Sequence, residues 1–159
     1  MPALRTYNDG KGIYSVDMMF AYLDTHKHPV TTLSMEELRP QLDQMVWGNE
    51  PELWSPNTVL EKMELKKYAS NAERIKKADL SYPILVTGAA TKQSIKHRII
   101  DGYHRTAKAA LKGQTEMKVY VLDAPLLRKF LLDGDQNFAR VHQEMSVADV
   151  IKLSVKRVC

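Results

Sequence analysis

The sequence predicts an α+β fold, a small mixed β-sheet flanked by helices, and three features carry that prediction. Two compact β-branched runs, YPILVTG (82–88) and HRIIDG (97–102), are separated by a short polar turn. A third run, MKVYVL (117–122), follows an alanine-rich segment that stops at Gly113. The remaining apolar residues mostly fall at helical spacing behind residues that start helices.

Taken in order, the first dozen residues carry no periodic pattern and read as a loose end. Val16, Met19, Phe20 and Leu23 have helical spacing, although VDMMFAYL also fits a short buried strand, and both alternatives stay open. THKHPVTT (25–32), polar and containing proline, reads as a loop. Ser34 with Glu37 is a capping box, after which Leu38, Leu42, Met45 and Val46 continue one apolar face that Pro40 delays or bends. WGNEPELWSP (47–56) is a breaker-rich loop that tucks Trp47 and Trp54 against the core. Ser55 before Pro56 starts a helix with Val59, Leu60 and Met63 as its stripe. Ser70 with Glu73 repeats the capping box for a short helix with Ile75 and Ala78 inside.

The two β runs then pair as a hairpin across AATKQSIK (89–96). From Gly102 to Leu111 a helix turns Ala107, Ala110 and Leu111 inward and Lys108 and Lys112 outward, with Gly113 as its stop. APLLRKFLLDG (124–134) forms an amphipathic helix ended by Gly134. Ser146 with Asp149 opens a last helix through Val147, Val150, Ile151 and Leu153.

At 159 residues, 44% hydrophobic and 26% charged, the chain has the balance of a single domain with its own core. A formal charge of +4 tilts it toward polyanionic partners without naming one. The lone cysteine, Cys159, excludes an internal disulfide and a multi-cysteine metal site, and no run approaches the roughly 18 apolar residues that cross a bilayer. The opening MPALRTYNDGKG lacks the apolar centre of a secretory signal, so the expectation is a cytoplasmic chain with no membrane partner.

Chemistry concentrates in IIDGYHRTAKAAL (99–111). A strand ending at Asp101-Gly102 and turning at once into a helix offers the backbone N–H groups near Gly102, Tyr103 and His104 to an anion. Gly102 permits a sharp turn and close approach of a ligand, and His104 and Arg105 add donors suited to phosphate oxygens. Asp101 reads either as an N-cap or as a carboxylate able to hold Mg²⁺ or act as a base. Glu73 and Asp79 flank the helix before PILV and read either as surface acids or as lining of the same cleft. Lys92, Lys96, His97 and Arg98 make a basic approach to the turn or a solvated hairpin. Trp47 and Trp54 either pack or stack a base. His26 and His28 have the spacing of two metal ligands with no third in sight, and Cys159 has no assigned role.

PILV, DGYHR, AKAALKG and KVYVL, in that order, resemble the core of the ParB/sulfiredoxin superfamily, including its ParB-like nuclease members, which carry a Gly-x-x-Arg turn between strand and helix. The resemblance covers 55–125, leaving 1–50 as an N-terminal extension and 124–159 as C-terminal helices. It implies nucleotide phosphates, with or without Mg²⁺, on Gly102, Tyr103, His104 and Arg105. Sulfiredoxins carry cysteine where this chain has Tyr103, so sulfinic acid repair is not expected. The stretch after Asp123 is short for the DNA reader that follows in chromosome-partitioning relatives. The superfamily's free-serine kinases add upstream glutamates that Glu61, Glu64 and Glu73 do not match unambiguously. Two expectations result. The first is a nucleoside di- or triphosphate-binding domain, hydrolase or phosphotransferase, with Asp101 and Glu73 catalytic. The second is a nucleic-acid-binding or nuclease-like module using Lys92, Lys96, Arg98 and Arg105.

Overall fold

The computed structural model describes residues 5–89 and 96–132, and the chain divides into two compact units, one from residue 30 to 121 and one from the segments on either side. It is α+β, and no helix among the described residues is long and apolar enough to cross a membrane.

In the flanking unit the expected loose end is instead a hairpin of β1 (Thr6–Asn8) and β2 (Ile13–Ser15), antiparallel with Thr6 opposite Ser15. Its turn closes because Gly10 takes φ +86° and the Asp9 carboxylate accepts the Lys11 and Gly12 N–H groups. The undecided apolar run is helix α1 (Val16–Thr25): the Ser15 hydroxyl accepts the Met18 N–H, and Val16, Met19 and Phe20 are buried. Asp17, fully buried, is held by the Arg5 backbone N–H at 2.7 Å and its guanidinium at 3.4 Å. The C-terminal helix α6 (Ala124–Arg128), capped by Asp123, ends well before Gly134, because Leu131 pairs with Tyr14 as an isolated bridge. The last expected helix, at 146–153, lies outside the described residues.

The central unit holds a four-stranded sheet, with β3 (Thr31–Ser34), β8 (Glu116–Leu122), β6 (Ile84–Thr87) and β7 (Ile99–Asp101) side by side in that order. β3 begins inside the stretch expected to be a loop, since its backbone pairs antiparallel with β8, Thr31 opposite Val119. β6 and β7 form the expected antiparallel pair, Leu85 opposite Asp101. Ile84, Val86, Ile99, Met117 and Val119 pack with Met35, Leu38 and Ala109 in one core cluster.

Ser34 caps α2 (Met35–Leu38) as its spacing implies, but one turn later the chain tightens into a 3₁₀ segment, Arg39–Asp43, at Pro40. Leu38 and Leu42 are buried, whereas Met45 and Val46, expected on the same face, are exposed beyond that tightening. The segment 47–56 is a second hairpin, β4 (Trp47–Asn49) and β5 (Glu52–Trp54), and not a loop; it sets Trp47 opposite Trp54. Ser55 caps α3 (Pro56–Glu61) as expected. The Ser70/Glu73 box is unused, because α4 (Ala69–Lys77) already continues from a 3₁₀ turn at Lys66–Tyr68 and has no side-chain cap. Helix α5 (Tyr103–Leu111) turns Ala107 and Ala110 to the core as expected and also buries Arg105, Thr106 and Ala109, whereas Leu111, expected inside, is exposed. Lys108, expected outside, donates to the Lys76 and Ala78 carbonyls at the end of α4.

Gln41 shows how the sheet margin is finished. The Arg98 backbone exchanges hydrogen bonds with Thr87, so His97 C=O and Ile99 N–H point away from β6. There the buried Gln41 amide donates to His97 O at 2.6 Å and accepts from Ile99 N–H at 2.8 Å.

Candidate functional site

The site is the turn from β7 into α5. Gly102 is the N-cap of α5 with φ +118°, a conformation that favours glycine. A Cβ there would lie 2.4 Å from Ile84 Cγ2. The direction expected to admit a ligand is therefore filled by β6, and glycine is required by packing as well as by the turn. Asp101 is not the N-cap of α5; that position is Gly102. Asp101 Oδ2 instead accepts from Arg105 Nη2 at 2.8 Å.

Arg105 is buried, and its guanidinium also donates to the Pro83 carbonyl at 2.8 Å and the Tyr82 carbonyl at 3.3 Å. It thereby ties the entry of β6 to the start of α5, a use of arginine's rigid fork that sequence does not distinguish from a phosphate ligand. Tyr103, standing where sulfiredoxins carry cysteine, donates its hydroxyl to Gln44 Oε1 at 3.1 Å and packs against both core clusters of the central unit.

His104, like the turn residues before it, is half-buried. Its ring stacks on Trp47 with centroids 4.3 Å apart and 17° between planes, and its Nε2 lies 3.3 Å from Asn71 Nδ2. Asn71 Oδ1 accepts from the Trp54 indole at 2.9 Å. Burial, reinforced by the positive charges of Arg74 and Arg105, pushes His104 down to about 3, so the ring is neutral at physiological pH. Trp47 is buried as packing requires; Trp54 stands edge-on to Tyr68, with Lys67 Nζ 5.7 Å above its ring.

The other expected residues are more dispersed. Glu73 is exposed on α4 and paired with Lys77 at 3.0 Å, which holds its carboxyl below the usual range. Asp79 is lowered by hydrogen bonds from Ser81. Lys96 and Arg98 are exposed on the approach to β7, and Lys92 lies outside the described residues. His97 Nδ1 donates to the Thr87 carbonyl, 2.8 Å away. In the flanking unit His26 stacks on Tyr22 and bonds its carbonyl, a helix-end role and not half of a metal pair. Among the described residues no group of three or more His, Cys, Asp or Glu is placed to share a metal. A Mg²⁺ on Asp101 would displace or repel the Arg105 guanidinium already bonded to that carboxylate, so the residues present do not fit a resident cation.

Sequence reasoning missed Asn71 and Arg74. Arg74 is exposed one turn beyond Asn71 on α4 and makes no hydrogen bond or ion pair among the described residues. Neither sits in a motif, and only the packing of α4 on α5 brings them to the turn. The arrangement supplies a helix N-terminus, a neutral imidazole and an uncommitted cation, a set suited to binding an anion. Comparison with family models, with curated proteins and with solved structures finds no match for the chain.

Proposed function

We propose that the chain is a nucleotide-binding domain of the ParB/sulfiredoxin type, seating phosphate on the turn from Gly102 to Arg105. One observation carries the reading. Helices α1, α2, α3 and α6 each begin on a Ser or Asp side chain that bonds a first-turn N–H; α4, which continues a 3₁₀ turn, has no side-chain cap, and the N-cap of the nine-residue α5 is Gly102, which has no side chain to give. A phosphate oxygen supplies what the side chain of a serine or aspartate supplies elsewhere. His104 and Arg74 stand as its further partners. If phosphoryl transfer follows binding, Asp101, oriented by Arg105, is the carboxylate at the turn assigned to accept the proton, and Glu73 is the second.

A thermal-shift panel of ATP, ADP, CTP, GTP and inorganic phosphate, with and without Mg²⁺, tests the reading on wild type and Arg74→Ala. Arg74 is the residue varied because Arg105 is built into the fold. A ligand at about 100 times its Kd adds about 2.7 kcal/mol to stability, and less in the variant. A panel that moves no melting temperature overturns the proposal. The alternative, a nucleic-acid or nuclease-like module on Lys92, Lys96 and Arg98, is recognised by binding of single or double strands that collapses as salt rises.

A further inference from the structure

We infer that a relay running from the Trp54 indole through the Asn71 amide fixes His104 in its Nδ1–H tautomer, which makes Trp54 and Asn71 positioning residues for the anion seat. The functional part of this inference rests on the phosphate-binding reading above; the tautomer itself does not.

An indole N–H only donates. At 2.9 Å from Trp54 Nε1, the atom of Asn71 must be its carbonyl oxygen, because the amide nitrogen there would set donor against donor. With the oxygen so committed, the NH₂ end of Asn71 faces His104 Nε2 at 3.3 Å. Nε2 must then offer a lone pair, and the single proton of the neutral ring is left on Nδ1. Stacking on Trp47 at 4.3 Å holds the ring plane and opposes the flip that would exchange the two nitrogens. Nδ1 has no hydrogen-bond partner among the described residues and is not one of the unpartnered atoms sealed from solvent.

The consequence lies in what a ligand that reaches Nδ1 meets there. The Nδ1–H form presents a donor to a phosphate oxygen; the other tautomer presents a lone pair that repels it. A tryptophan and an asparagine far from the ligand thus decide whether the histidine attracts or rejects an acceptor. Discrimination favours ligands rich in acceptor oxygens, the phosphates of a nucleotide among them.

The test reads the tautomer directly, in long-range ¹H–¹⁵N spectra of the full chain without ligand. His104→Gln identifies the signals of this ring among the five histidines. The expected result is a protonated Nδ1 and an unprotonated Nε2 in wild type, by at least about tenfold, the bias one good hydrogen bond supplies. Asn71→Asp keeps the shape and presents only acceptors to the ring, so the proton moves to Nε2. Trp54→Phe frees the amide to turn, leaving a tautomer mixture and an ADP affinity lower by about three- to tenfold. Asn71→Asp carries the test alone if Trp54→Phe does not fold. A wild-type ring protonated at Nε2, or an Asn71→Asp ring unchanged from wild type, overturns the relay. The expected tautomer in a chain that binds neither phosphate nor ADP counts against the nucleotide reading alone; ADP binding to an Nε2–H ring counts against the relay alone.

Discussion

Acidification acts on this fold through His104. The folded chain protonates that ring only near pH 3, against 6.5 for the free side chain, so between these values the unfolded chain holds a proton that the folded chain refuses. Stability from this group is therefore complete above pH 6.5 and is lost as pH falls toward 3. Each pH unit in that window amounts to about 1.4 kcal/mol, so the ceiling is about 5 kcal/mol, and acidification from about pH 7 to about pH 4 removes about 3 kcal/mol through His104 alone. Urea unfolding across that range, on wild type and His104→Gln, isolates the effect. The substitution also forfeits the stack on Trp47, a constant offset of about 1 kcal/mol at every pH, while the carboxylates titrate alike in both proteins and cancel. The advantage of wild type over His104→Gln must therefore fall steadily toward acid and reverse sign, leaving the substituted chain the more stable by about 2 kcal/mol near pH 4. Curves that stay parallel within about 0.5 kcal/mol would refute the claim that the ring is neutral because it is buried beside two arginines.

Three further substitutions probe the frame of the site. Gly102→Ala places a Cβ 2.4 Å from Ile84 Cγ2 at φ +118°, and a loss of at least about 2 kcal/mol in urea unfolding is expected; a change within about 0.5 kcal/mol would show that the turn relaxes. Arg105→Met strips the Pro83, Tyr82 and Asp101 acceptors of their donor and is expected to lower stability by about 3 kcal/mol, whereas Asp101→Asn, which keeps an oxygen toward Arg105, costs about 1 kcal/mol; equal losses from the two would contradict the clamp. Gln41→Leu leaves His97 C=O and Ile99 N–H without their partner and is expected to cost about 2–4 kcal/mol, with faster amide exchange at Ile99 as its local signature; unchanged exchange there would remove Gln41 from the sheet margin.

What the sequence revealed was local. Ser34 and Ser55 cap helices where their spacing says they do, because an N-cap needs only a hydroxyl and the next three residues. The β6–β7 pair was equally visible, since two β-branched runs across a short turn have one simple way to meet. The same rule misled at Ser70, where the spacing is present but the helix has already begun. The hairpin at 6–15 carried a turn signal, Asn8-Asp9-Gly10, that composition alone had passed over as a loose end. The contacts that define the candidate site and the sheet margin were not legible at all. Asn71 reaches His104 across 33 residues, and Gln41 reaches Ile99 across 58. Neither amide sits in a pattern that distinguishes it from a solvated one. Arg105 illustrates the same limit: DGYHR reads identically whether the guanidinium faces a ligand or the carbonyls of Tyr82 and Pro83.

An unfinished strand margin recruits other chains, and proteins usually defend it with charge, proline or a bulge. On the β7 side of this sheet the defence is different, for the Gln41 amide occupies the place of a fifth strand by matching one donor and one acceptor of the ladder. Among the described residues, resistance to intermolecular β-pairing at His97 and Ile99 therefore rests on a side chain contributed by a 3₁₀ turn. Substitutions at Gln41 would create a self-association hazard as well as a weaker monomer.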